Sequence, residues 1–206
     1  MRKVEVTYEV YTFPELSDKA KEKVKQWYLD GQNPDVFSDD CDGELASLFP
    51  NSNLKVEYSL SYCQGDGLNI YGGLTPVDVL DGVENNSFKL EGYFSKEEIE
   101  ILRRYCRGYD FDVIVLPRNI RYGYCMADRI MFAEDWIEEI KYWNGRCDIK
   151  ELVKKFEGFV KDLFKSLAKE YEKRGYNYFY EIEESDLAEI CEANEYEFLE
   201  DGTLFP

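Results

Sequence analysis

Histidine is absent from this 206-residue chain. That absence excludes Ser-His-Asp and Cys-His nucleophilic pairs, His-ligated zinc and any imidazole general base. No CxxC or CxC pair occurs among Cys41, Cys63, Cys106, Cys125, Cys147 and Cys191, so a zinc ribbon or thioredoxin-type dithiol is disfavoured. No apolar run approaches the roughly 20 residues needed to span a bilayer. The opening MRKVEVTYEV lacks the apolar stretch of a secretory signal, and a core of this size needs no disulfide staples. The expectation is six free, mostly buried thiols in a soluble cytoplasmic protein.

Positive charge is scarce as well. Lys and Arg number 25 against 43 Asp and Glu, a formal net charge of −18. Such a chain repels phosphate backbones, so direct DNA or RNA binding is not expected. It suits a basic partner; the bland alternative is charge kept for solubility alone. The distribution is uneven. Six of the nine arginines lie between Arg103 and Arg129, whereas residues 181–201 hold ten acids and no base.

Apolar residues make up 44% and aromatics 16%, enough for a real core despite the charge. Val4, Val6, Tyr8 and Val10 alternate with polar residues and predict a half-buried opening strand. Ser17 predicts an N-cap for a helix to about Leu29, ended by Gly31, with Ala20, Val24, Trp27 and Tyr28 inward. Asn33-Pro34 reads as a turn over 32–37. Ser38 then predicts the cap of a short helix carrying Leu45, Leu48 and Phe49 and stopped by Pro50. Residues 53–62 alternate as a strand, Gln64–Gly67 is a tight reversal, and 68–71 return. A further strand is expected over 87–94.

Ser95 with Glu98 is a capping box opening a helix to about Cys106. Strands are expected at 111–116 and 119–126, extending towards 132, and a helix near 135–143. The strongest signal is the stripe Ile149, Leu152, Val153, Phe156, Phe159, Val160, Leu163, Phe164, Leu167 and Tyr171, a long amphipathic helix over 148–174 with Asp148 as N-cap. Ser185 opens a last helix to about Ala193, and Glu200–Thr203 form a turn. The fold expected is one α+β domain over 1–206: a small antiparallel sheet packed against several helices.

Three segments carry a resemblance: YTFPELSDKAKEKVKQWY at 11–28, LSYCQGDGLNIYG at 60–72 and SDLAEICEANEYEFLEDGTLF at 185–205. Together they resemble a family of small acidic proteins of phages and other mobile elements. Its members share an "ELSxxAK" helix, a "QGDG" hairpin and an "EANEYEFxxDG" tail. The resemblance covers about a quarter of the chain and brings no enzymatic activity with it. It implies a phage-side accessory protein, and hence an inhibitor of a host system.

Candidate chemistry is sparse. Asp39, Asp40, Asp42 and Glu44 put four carboxylates in six residues. Neighbours on a helix diverge by about 100°, so at most two could share a cation, and a solvated capping surface is the simpler reading. Asp66 inside the Gln64–Gly67 loop would repel a phosphate. Asp110 and Asp112 share a strand face and, with acids of 39–44, could hold a metal in a hydrolase or nuclease. Cys106, between Arg104 and Arg107, falls on an apolar stripe and reads as buried rather than nucleophilic. The arginines read as a counterweight to the acids or, alternatively, as a sponge for a signalling nucleotide.

The leading expectation is a non-enzymatic binding protein needing no cofactor. Its acidic surface would imitate nucleic acid and dock on a basic host protein, a nucleic-acid-binding defence effector such as a CRISPR-type nuclease or restriction enzyme. The first patch is Glu183, Glu184, Asp186, Glu189, Glu192, Glu195 and Glu197; the second is Asp39, Asp40, Asp42 and Glu44.

Overall fold

The computed structural model describes residues 1–3, 6–63, 65–88, 93–106, 111–113, 130–131 and 147–206. These include helices α1 (Asp18–Asp30), α2 (Pro34–Leu48), α3 (Pro76–Glu84), α4 (Lys96–Cys106), α5 (Cys147–Tyr180) and α6 (Glu184–Ala193), and strands β1 (Asn53–Ser59), β2 (Gly67–Leu74), β3 (Phe111–Val113) and β4 (Ile130–Met131). The class is α+β, with one long helix. The contacts separate into two compact units, one built from 1–34 and 174–206, the other from 35–173.

The first unit is made by the two ends of the sequence. Ser17 caps α1, its Oγ accepting the Ala20 N–H at 3.3 Å. Ala20 and Val24 go inward with Phe13 and Leu16, and meet Leu187, Cys191 and Phe198 from the C-terminal side. Trp27 is not buried as expected; 38% of it stays exposed, with its ring edge-on to Tyr196 and Phe198. The predicted opening strand does not form over the described residues. Val6, Tyr8 and Val10 are exposed, and only Tyr11 pairs, exchanging both backbone hydrogen bonds with Phe198 at 2.8 and 2.9 Å. Alternation marks a strand only where a partner edge exists. The tail folds back as predicted: Phe198 bridges Leu204, and the intervening turn passes through Gly202 at φ +80°. A Cβ there would stand 2.4 Å from the Ala20 carbonyl oxygen, so the tail lies against α1 only because this residue is glycine.

In the second unit the sheet is antiparallel throughout, in the order β1-β2-β3-β4. The β1–β2 reversal is held by Asp66, whose carboxylate accepts from the N–H of Ser61 at 2.6 Å and of Cys63 at 2.9 Å. The residue that argued against an anion site is the one that builds the loop. Helix α2 starts at Pro34, so Ser38 lies inside it, and the turn expected over 32–37 is confined to its first residues. Proline needs no hydrogen-bond acceptor in a helix's first turn, so Asn33-Pro34 is a start signal as much as a turn signal. The same logic applies to α3, which opens on Thr75-Pro76 and which the sequence reading did not anticipate. Within it Asp78 is only 1% exposed, and its carboxylate accepts from the Asn51 N–H (2.9 Å), Asn51 Nδ2 (2.6 Å) and Ser52 Oγ (2.6 Å). The strand expected over 87–94 is a turn at 87–88 and a bend at 93–94; residues 89–92 lie outside the described part.

The predicted capping box is present on α4: the Ser95 N–H donates to Glu98 Oε2 at 2.7 Å and the Glu98 N–H to Ser95 Oγ at 3.2 Å. Glu98 also takes the Lys155 ammonium at 2.8 Å; that bond first, and the Ser95 N–H second, hold its carboxyl below the usual range. The long helix begins at Cys147, so Asp148 lies in its first turn rather than capping it. It also continues through Gly175 to Tyr180. Phe156, Phe159, Val160, Leu163, Phe164 and Tyr171 are buried, while Leu167 is half-buried. Helix α6 begins at Glu184, with Glu183 rather than Ser185 at the N-cap position.

Cys41, Cys63, Cys106 and Cys191 are free thiols, and all but Cys63 are buried. Cys125 and the Cys147 side chain lie outside the described residues. Burial pushes the Cys106 thiol up to about 12. Below the ordinary thiol value both states keep the proton. Above it the unfolded chain releases the proton and the folded chain does not, so stability falls as pH rises towards 12, by up to about 1.4 kcal/mol per unit. Between pH about 9 and about 10.5 the stability of wild type relative to Cys106→Ala should therefore drop by about 2 kcal/mol in urea unfolding. A constant difference would mean that the thiol titrates normally.

Candidate functional site

The acids of 183–197 all belong to the first unit, and all seven are exposed: Glu183, Glu184, Asp186, Glu189, Glu192, Glu195 and Glu197. Four of them, Glu184, Asp186, Glu189 and Glu192, lie within α6. Leu187 and Cys191 face the core, so the other helix positions Glu184, Asp186, Glu189 and Glu192 fall off that face. The seven divide into two groups. Glu183, Glu184 and Asp186 sit at the N-terminal end of α6, where a helix dipole favours negative charge, and Glu184 is paired with Lys21 at 2.7 Å.

Glu189, Glu192, Glu195 and Glu197 have no such structural reason. They line one concavity of about 460 Å³ whose other walls are largely apolar, from Phe13, Pro14, Ala188, Cys191 and Tyr196. The last turn of α6 carries no basic residue, and carboxylates at that end oppose the helix dipole. Glu195 is also held at φ +54°. The Tyr196 N–H donates to the Cys191 carbonyl at 2.9 Å and the Glu195 N–H to the Glu192 carbonyl at 3.0 Å, a helix stop in which glycine is the favoured residue at this position. Glu195→Gly should raise stability by about 1 kcal/mol, from relieved backbone conformation and a removed unfavourable charge. Glu195→Gln, which changes charge alone, should give less than half of that. A destabilised Glu195→Gly would instead assign Glu195 a supporting role in the fold.

The second patch does not stay together. Asp39 and Asp40 are exposed within α2, past its first turn, so they are solvated but do not cap it. Asp42 turns to the sheet and accepts the Val56 N–H at 2.8 Å. Glu44 lines a different concavity with Asp162 and Glu170, beside Phe88, Tyr93 and Phe159. Helical divergence of adjacent residues explains the scatter.

Among the described residues no three acids or cysteines are grouped so as to hold a metal ion. Asp110 lies outside them; Asp112 is placed in β3, opposite Met131. Arg103 is committed to Asp81 and Glu84. Arg107, Arg118, Arg121 and Arg129 lie outside the described residues. No described helix is long and apolar enough to cross a membrane. No protein-family model, curated protein or solved structure matches the chain.

Proposed function

We propose that the protein is a binding protein whose first unit presents carboxylates to a basic, nucleic-acid-binding partner and competes with nucleic acid for that partner's Lys and Arg side chains. The supporting observation is the placement of Glu189, Glu192, Glu195 and Glu197: four exposed carboxylates around one concavity, of which Glu192 and Glu195 lie in and just after the last turn of α6, where negative charge opposes the helix dipole. Charge kept for solubility has no reason to concentrate there. The resemblance to phage and mobile-element proteins makes a host-defence nuclease, of CRISPR or restriction type, the leading partner, and its inhibition the role. The test is capture from host lysate at low salt. A captured nucleic-acid-binding protein that is released by raised salt, and whose nucleic-acid binding the chain displaces, supports the reading. Capture that is unaffected by salt and by neutralising these acids overturns it.

A further inference from the structure

We infer that the segment leading into Tyr11 is an edge strand that pairs, antiparallel, with the same segment of a second copy of this chain, giving a reversible homodimer. This goes beyond the acidic-surface reading and does not depend on it.

The backbone carries the inference. Over residues 6–10 the chain runs without a turn or bend, and none of its backbone N–H or C=O groups is hydrogen-bonded to another described residue. Tyr11 exchanges both of its bonds with Phe198. In an extended chain the groups of Thr7 and Glu9 therefore face the same way as those of Tyr11, and the groups of Val6, Tyr8 and Val10 face the opposite way. The inner side finds no continuing strand. A ladder extended from Tyr11 and Phe198 would set Glu9 against Glu200, and the tail turns away at Asp201 and Gly202. The outer side is an open edge flanked by apolar side chains, Val6 at 63% and Tyr8 at 56% exposure. Such a row of unpaired donors and acceptors is a template for another strand.

Charge complementarity selects the occupant. Arg2 and Lys3 balance Glu5 and Glu9, so this segment is locally neutral in a chain of net charge −18. Pairing through the outer groups sets even-numbered residues opposite even-numbered ones. The register centred on Val6 places Lys3 of each copy opposite Glu9 of the other, a pair that two-fold symmetry makes twice. These are non-hydrogen-bonded positions, where facing side chains stand closest. Glu9 accepts the Tyr11 hydroxyl on Oε2 at 3.2 Å, which leaves Oε1 for the lysine. A register centred on Thr7 would oppose Glu5 to Glu9, one centred on Tyr8 would form no charge pair, and one centred on Val4 would leave Tyr8 and Val10 outside the pairing. The Tyr8 ring lies 5.6 Å from that of Phe205, so pairing adds the second copy's apolar side chains to a face the tail already supports.

Sedimentation equilibrium of the full chain tests the inference. A reversible dimer is expected, tighter at about 0.5 M salt than at about 0.05 M, because screening relieves repulsion between copies of net charge −18. The acidic-surface complex has the opposite salt dependence, so the two readings fail separately. Val6→Pro removes an outward N–H at the centre of the pairing and should weaken the dimer by at least about tenfold while leaving partner capture unchanged. Lys3→Glu and Glu9→Lys each set like charges opposite one another and should weaken it by about fivefold; combined, they restore opposite pairs and should return the affinity to within about twofold of wild type. A chain that stays monomeric up to about 0.5 mM at both salt concentrations, or a dimer indifferent to Val6→Pro, overturns the edge pairing and leaves the acidic-surface reading standing. A double variant no tighter than the single ones overturns the register. The wild-type measurement needs no variant, so a misfolded Val6→Pro would not shelter the inference.

Discussion

Replacing Glu189, Glu192, Glu195 and Glu197 together by glutamine is expected to weaken partner binding by about two to three orders of magnitude, although each single replacement costs less than about fivefold. Exposed charge pairs contribute up to about 1 kcal/mol apiece, and four acting on one basic groove approach the sum. Much of the loss should lie in a slower on-rate, since an extended acidic face steers encounter before contact. Salt supplies a sharper test because it acts on two quantities with opposite signs. With a net charge of −18 the folded chain repels itself, so screening should raise its melting temperature. The same screening should weaken the complex. Binding and stability that rise together with salt would point to an apolar interface and remove the acidic-surface reading.

The largest effect on folding is expected at Phe164. Its side chain is fully buried on α5, with its ring 5.4 Å from that of Phe49. Phe164→Ala should cost about 3–5 kcal/mol, from lost transfer energy and the cavity left behind. That is a large part of the roughly 5–15 kcal/mol that holds a domain folded. Leu167→Ala, one turn on and half-buried, should cost about 1 kcal/mol. Equal losses in urea unfolding would mean that the buried face of α5 is wider than its packing indicates. A loss at Phe164 below about 1 kcal/mol would contradict the packing altogether.

Sequence pattern was most legible where local chemistry and burial agree. The Ser17 cap, the Ser95–Glu98 box and the apolar stripe of α5 each state their structure within a few turns. It misled where one signal serves two structures. Asn33-Pro34 carries a turn signal and opens a helix, and Thr75-Pro76 opens another that periodicity alone does not reveal. Gly175 did not end α5, since a single glycine costs about 1 kcal/mol and burial of the neighbouring face outweighs it. The alternation of Val6, Tyr8 and Val10 lacks a partner edge, a fact that only the tertiary structure holds. Site legibility splits in the same way. Exposure of the tail acids was legible in the run of ten acids without a base over 181–201, since so much unpaired charge is not buried. The concavity could not be foreseen, because Phe13 and Pro14 reach it from the other end of the sequence.

Phe198 must pair with Tyr11, and Gly202 must settle on α1, before the first unit closes. Residues 35–173 form a contiguous stretch, whereas the acidic concavity joins residues 12–14 to 188–197 and comes into being only once that distant segment has been made. A nascent or truncated chain that stops short of residue 189 therefore lacks every acid of the concavity. On the proposed reading it would be inert towards the partner until translation has passed the tail, and a stop codon anywhere in 174–189 would abolish the effect by removing all four glutamates at once.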